Sequence, residues 1–149
     1  MSLADPTRKM SKSEGENHYV GVFEDEGSIK KKVRTAVTDT GLEAGEETSP
    51  GVATLFEILE LSCEELGDTS IAEELRAEFS EGHLMYSRLK DEVFDRLMAV
   101  LRPIQEKRRA LEASGTIAEI LADGAKRAEA IAEETMVDVR KMVGLGSAG

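Results

Sequence analysis

Lysine and serine alternate within one short polar run, Lys9-Met10-Ser11-Lys12-Ser13, directly behind Asp5-Pro6-Thr7-Arg8. Two ammonium groups and two hydroxyls on five residues do not pack into a core at low cost, but they suit a loop that closes over a polyphosphate. Backbone N–H groups and the Ser11 and Ser13 hydroxyls can donate to phosphate oxygens while Lys9 and Lys12 neutralise their charge. A solvated basic turn is the alternative reading of any short charged run. The full pentapeptide behind an Asp-Pro is much rarer by chance than two lysines are. Elsewhere the chain holds only His18, His83 and Cys63 as further candidates. They form no Cys/His metal spacing and no catalytic triad, so no protein-bound metal is expected. Cys63 lies beside Glu64 and Glu65 with no cation in sequence to activate it, which reads as an inert thiol.

The elements that must position this run are helical. Residues 1–28 read as a polar loop followed by Tyr19-Val20-Gly21-Val22-Phe23, a β-favouring stretch with no partner strand and no apolar face of its own. This arm is expected to be mobile unless another body holds it. From Ser28 onward the period is helical. Ser28 can cap a helix whose apolar residues are Ile29, Val33, Ala36 and Val37, with Lys30, Lys31, Lys32 and Arg34 on the other face. Residues 38–49 read as an acidic loop, open to partial disorder. Ser49-Pro50 starts a second helix, with Val52, Leu55, Phe56 and Leu59 at i, i+3, i+4, i+7. Ser70-Ile71-Ala72-Glu73 is a capping box for a third.

A long helix over 84–112 follows, its face drawn by Leu89, Val93, Leu97, Leu101, Ile104 and Leu111. Pro103 should bend it rather than end it. Tyr86 is placed either in the core or against a base. Thr116-Ile117-Ala118-Glu119 is a second capping box, and the helix behind it reaches about residue 143. Small Gly124 and Ala128 lie on its seam, where a neighbouring helix is expected to pack. The fold class is therefore all-α, a bundle of four to five helices preceded by a loop and short extended arm that carries the lysine–serine run.

Composition narrows the setting. With 149 residues, 40% of them hydrophobic, the chain can bury one main core. Thirty acidic residues against nineteen basic ones give a net charge of −11, which disfavours nonspecific nucleic-acid binding. Any RNA contact needs a local basic patch. No apolar run nears the ~18 residues of a membrane span, and residues 1–12 lack the apolar stretch of a signal peptide. A single cysteine fits a reducing compartment, so a cytoplasmic location is expected.

The run of residues 9–13 resembles the second signature of class I aminoacyl-tRNA synthetases. Met1-Ser2-Leu3, Asp5-Pro6 and Lys32…Ala36-Val37-Thr38-Asp39 are similar to the tryptophanyl branch of that family. So are Gly82…Met85-Tyr86…Leu89-Lys90, Leu101-Arg102-Pro103-Ile104-Gln105-Glu106, Gly124-Ala125 and Gly144-Leu145-Gly146. The likeness covers essentially the whole chain and corresponds to the C-terminal part of such an enzyme. Met10 and Ser11, and the absence of a small appended RNA-binding domain, separate it from the tyrosyl branch. The 82–87 stretch departs from the pattern, being longer and lacking a lysine before Met85.

The resemblance implies a division into residues 1–27, the tail of a catalytic domain carrying the signature loop, and 28–149, a helical anticodon-binding domain. It implies ATP with Mg2+ as substrate, bound through Lys9, Met10, Ser11, Lys12 and Ser13, with Lys12 and Lys9 catalytic in tryptophan activation. It also implies tRNA(Trp) as partner. The candidate contacts are Arg102, Lys107, Arg108 and Arg109 in the long helix, and Lys126 and Arg127 in the next. Cations near a helix C-terminus among many glutamates are equally explained by the helix dipole and by surface pairing. The first signature of the class, a His-x-Gly-His or Thr-x-Gly-Asn at the head of a Rossmann helix, is absent. The chain is thus expected to be a piece of a longer ligase, inactive alone, with Met1 an internal methionine of the parent. The parent would be a homodimer, with a monomer one option for the piece. The alternatives are a free-standing helical RNA-binding or interaction module and a plain structural bundle.

Overall fold

The computed structural model describes residues 1–38 and 48–145. All regular structure within them is helical, and no strand is formed among the described residues. The helices are α1 (Glu26–Thr35), α2 (Pro50–Leu66), α3 (Ser70–Ser80), α4 (Tyr86–Ser114) and α5 (Thr116–Met142), with single 3₁₀ turns at Lys12–Glu14 and Glu16–His18. Two compact units result, Met1–Gln105 and Glu106–Gly149, and the boundary falls inside α4. Most of the 38–49 loop lies outside the described residues.

In the first unit α1 to α4 each contribute one apolar face. Ile29 and Val33 of α1 meet Leu55, Phe56 and Leu59 of α2, Leu75 of α3, and Leu89, Val93 and Met98 of α4 in one buried cluster. The Phe56 and Phe79 rings pack edge to face, 5.7 Å between centroids and 65° between planes. The Arg76 guanidinium lies 4.0 Å over Phe56 and bonds Glu60 through Nε at 2.6 Å. The start of α2 packs so closely on the chain leaving α1 that a Cβ at Gly51 would stand 2.1 Å from the Val37 carbonyl oxygen. Gly67 closes α2 with φ 72°, and the Asp68 N–H reaches back to the Cys63 carbonyl at 3.1 Å. Cys63 is free and buried, and burial pushes its thiol pKa up, as an inert thiol requires.

Helix starts differ from the sequence expectation in register. Asp25 rather than Ser28 caps α1, its carboxylate accepting the Ser28 N–H at 2.9 Å and the Ser28 hydroxyl at 2.6 Å. Aspartate is as good a cap as serine, and the residue three positions back wins. Ser70 and Thr116 are first helical residues, with Thr69 and Gly115 in the cap positions. Asp68 and Ser114, not the expected box residues, accept the Ser70 and Thr116 N–H groups. Helix α4 continues past Pro103. Tyr86, one of whose expected places was the core, is exposed.

The second unit departs most from expectation. No residue of α5 is buried, and a Cβ at Gly124 would meet nothing within 4 Å. Ile120, Leu121 and Ile131 are each more than 60% exposed. The seam expected at Gly124 and Ala128 therefore meets no neighbouring helix in this unit. Apolar spacing identifies the helix face but cannot supply the surface that covers it.

Candidate phosphate-binding loop

The segment carrying residues 9–13 is not the loose arm that its polarity suggests. Ser2 and Leu3 are buried, 1% and 2% exposed, and Val20 packs against the helical core. The Leu3 carbonyl accepts the Val37 N–H at 2.9 Å, which ties the chain start to the end of α1. Leu3 N–H meets the His18 carbonyl at 3.4 Å, and Ser2 Oγ lies 2.9 Å from His18 Nδ1. These contacts close the loop at its base. One buried leucine and a few backbone bonds thus replace the apolar face that the segment lacks.

Farther along, residues 19–24 lie against α1 and α4. Lys32 is 8% exposed, and its Nζ sits 2.7 Å from both Glu24 carboxylate oxygens and 3.2 Å from the Tyr19 carbonyl. The ammonium also lies 4.8 Å over the Tyr19 ring. Glu24 Oε1 accepts the Gly21 N–H at 2.8 Å, and Gln105 Nε2 donates to the Val22 and Glu24 carbonyls at 2.8 and 3.1 Å. Tyr19 is extended, but residues 22–24 turn back, with Glu24 N–H on the Gly21 carbonyl at 3.1 Å. The five-residue extended stretch expected over 19–23 is therefore not formed, and the polar side chains of Lys32 and Gln105 hold the segment instead. The solvent face assigned to Lys32 is corrected here. Ile29, Lys32, Val33 and Ala36 stand at i, i+3, i+4 and i+7, so the inward face was legible and the lysine's charge masked it. Lys90 was also missed. Its Nζ donates to the Ala36 and Arg34 carbonyls at 2.7 and 3.1 Å, capping the end of α1, and burial lowers its pKa.

The loop itself begins with a tight turn. Asp5 Oδ1 accepts the Thr7 hydroxyl at 2.6 Å and the Thr7 N–H at 3.2 Å, which hold the Asp5 pKa below its ordinary value. Arg8 then forks onto Glu14, with both nitrogens 2.8 Å from a carboxylate oxygen. Between them Lys9, Met10, Lys12 and Ser13 are exposed, and Ser11 is half-buried. Ser11 and Ser13 share a hydrogen bond of 2.8 Å. No ion pair engages Lys9 or Lys12 among the described residues.

The basic residues considered for RNA contact are more dispersed. Arg102, in the first unit, bonds Glu26 at 2.7 Å. Lys107, Arg108 and Arg109 follow one another on α4, and steps of ~100° spread them around the helix rather than along one face. Arg108 pairs with Glu112 at 2.7 Å, and Arg127 lies 3.9 Å from Asp123. Lys107, Arg109 and Lys126 are exposed and make no ion pair among the described residues. No three His, Cys, Asp or Glu side chains are grouped to hold a metal ion there either. No helix among the described residues is long and apolar enough to cross a membrane.

Residues 1–102 match the model of the class I tRNA synthetases (W and Y), and the chain belongs to that family. Within it, similarity runs to proteins named tryptophan–tRNA ligase. The chain is 35% identical to that of Enterococcus faecalis over 149 residues, covering 98% of this chain and 42% of the relative. It is 34% identical to the Bacillus subtilis protein and 35% to tryptophan–tRNA ligase 1 of Streptomyces avermitilis, over 43% and 42% of their lengths. The chain thus spans less than half the length of these curated relatives.

Proposed function

We propose that this chain is the C-terminal part of a tryptophan–tRNA ligase and supplies its second signature loop together with a helical tRNA-binding region. The observation that carries the reading is the loop of residues 9–13, whose free lysines stand on a base anchored to α1 and α4. In tryptophan activation the carboxylate attacks the α-phosphate of ATP and pyrophosphate leaves. Negative charge grows on the bridging and leaving oxygens, so fixed cations lower the barrier more than they stabilise bound ATP. Lys12 is assigned chiefly to that task and Lys9 assists, while Met10, Ser11 and Ser13 hold phosphate through backbone and hydroxyl groups. Mg2+ would arrive on the nucleotide, because the one carboxylate beside the lysines, Glu14, is taken by Arg8.

On this reading residues 1–27 go with a catalytic domain and 28–149 bind tRNA(Trp). Arg102, Lys107, Arg108, Arg109, Lys126 and Arg127 are the candidate contacts. Lys107, Arg109 and Lys126 come first, since no acidic partner must be displaced from them. The test is tryptophan-dependent exchange of pyrophosphate into ATP. The chain alone should show none, and activity should appear when the catalytic portion of a related ligase is joined to it. There, Lys12→Ala should lower the rate by roughly 10²–10³ with little change in the KM for ATP. An effect confined to KM would reduce Lys12 to a binding residue. A joined protein that exchanges nothing, yet in which the chain binds tRNA, would favour a helical RNA-binding module without catalysis.

A further inference from the structure

We propose that Arg8 and Glu14 form a clasp that positions the loop of residues 9–13, holding its two lysines on a fixed frame before any phosphate arrives. The inference rests on the reading of that loop as phosphate-binding.

The pair flanks the run on both sides, six residues apart, and closes it with two parallel bonds of 2.8 Å. Its two ends are not equally fixed. Arg8 is held through its backbone, its N–H on the Asp5 carbonyl at 3.0 Å and its carbonyl accepting the buried Ser2 N–H at 2.9 Å. Glu14 ends a single 3₁₀ turn whose closing bond, Gly15 N–H to the Lys12 carbonyl, is long at 3.4 Å, and Gly15 leaves it at φ 113°. The guanidinium therefore adds a direct tie between the two sides of the run, above the base that is closed at His18. A planar fork fixes orientation as well as distance, which one ammonium would not do.

The pairing has a second effect. Glu14 is the one carboxylate between Asp5 and Glu16, and unpaired it would repel a polyphosphate bound at Lys9 and Lys12. Neutralised by Arg8, it frames the site at little electrostatic cost. Both are positioning residues, acting through the loop rather than on the reacting atoms.

Arg8→Gln, Glu14→Gln and the exchanged pair Arg8→Glu/Glu14→Arg separate this from a chance surface contact. In the full chain, ¹⁵N order parameters of residues 9–13 should fall from about 0.85 toward 0.6 in each single variant and recover in the exchanged pair. Melting midpoints should stay within a degree or two, because neither side chain reaches the core. Order parameters unchanged in the single variants, or no recovery in the exchanged pair, overturn the clasp.

Titration with sodium tripolyphosphate, followed at the same amides, gives a second test whose sign decides. Simple charge counting makes Glu14→Gln bind more tightly, since an anion is removed. A clasp makes it bind about two- to fivefold more weakly, the range that an exposed pair's strength allows. Tighter binding overturns the positioning role. If the unaltered chain shows no shift at all with tripolyphosphate, the phosphate-binding reading fails instead, and the order parameters still report separately on the clasp.

Discussion

Replacing Lys32 by methionine keeps the aliphatic stem and removes only the ammonium. The Tyr19 carbonyl then loses a donor, and the Glu24 carboxylate keeps only the neutral Gly21 N–H. Breaking a buried ion pair costs about 3–5 kcal/mol. Glu24 retains 22% of its side-chain exposure, so water compensates part of the loss and about 2–3 kcal/mol remains. The contact over the Tyr19 ring adds about 0.5–1 kcal/mol. The sum is about 3 kcal/mol, a large share of the 5–15 kcal/mol typical of a domain. With a urea m-value of about 1.5–2 kcal/mol/M, the midpoint should fall by roughly 1.5–2 M. Lys31→Met, one residue away and exposed, serves as the control and should change stability by less than about 0.5 kcal/mol. Adding Glu24→Gln to Lys32→Met should recover part of the loss, because no charge is then stranded. A Lys32→Met midpoint indistinguishable from the control's would refute the anchoring role given to the ammonium.

Gly51→Ala should destabilise by about 3 kcal/mol in the same urea assay, since its Cβ would stand 2.1 Å from a backbone oxygen that cannot swing away. Asp25→Ala removes the α1 cap and should lower the melting temperature at pH 7. The folded pKa of Asp25 lies below 3.8, chiefly through the Ser28 hydroxyl hydrogen bond. Its contribution is thus present above pH 3.8 and lost as pH falls through the lower folded value, so the difference between the two proteins should close in acid. Ala128→Leu should leave the urea midpoint unchanged within about 0.5 kcal/mol because the site is exposed, and a clear loss would mean that α5 is covered in solution.

Helix number and type were legible because Leu55, Phe56 and Leu59, or Leu89 and Val93, repeat at helical spacing with few polar interruptions. Helix starts were less so. Asp25 and Ser28, or Thr69 and Ser70, are nearly equivalent caps, and only tertiary geometry chooses between them. The lysine–serine run could be picked out from residue types alone, since its pattern is local. Its anchoring could not, because Leu3, Lys32 and Gln105 come together from positions up to about a hundred residues apart. A charge on an inward helix face looks like solvent-facing polarity until its partner is known. Ala128 shows the opposite case, a sound periodicity whose face nothing in its own unit covers.

The bonds at the base of the loop are nested, and this bounds how far its lysines can travel. Leu3 N–H to the His18 carbonyl forms the outer closure, and the Arg8–Glu14 pair forms the inner one. With the inner closure open, Arg8 stays fixed through its backbone and Lys12 is four residues from it, a contour length of at most ~14 Å. With it shut, Lys12 is also two residues from the clasped Glu14 and can move only ~7 Å from that point. The accessible volume scales with the cube of this radius, so it shrinks by roughly eightfold, and the effective concentration of the Lys12 ammonium at any point within the loop rises in proportion. A short ion pair at the surface can thus narrow the space that Lys12 samples without touching it.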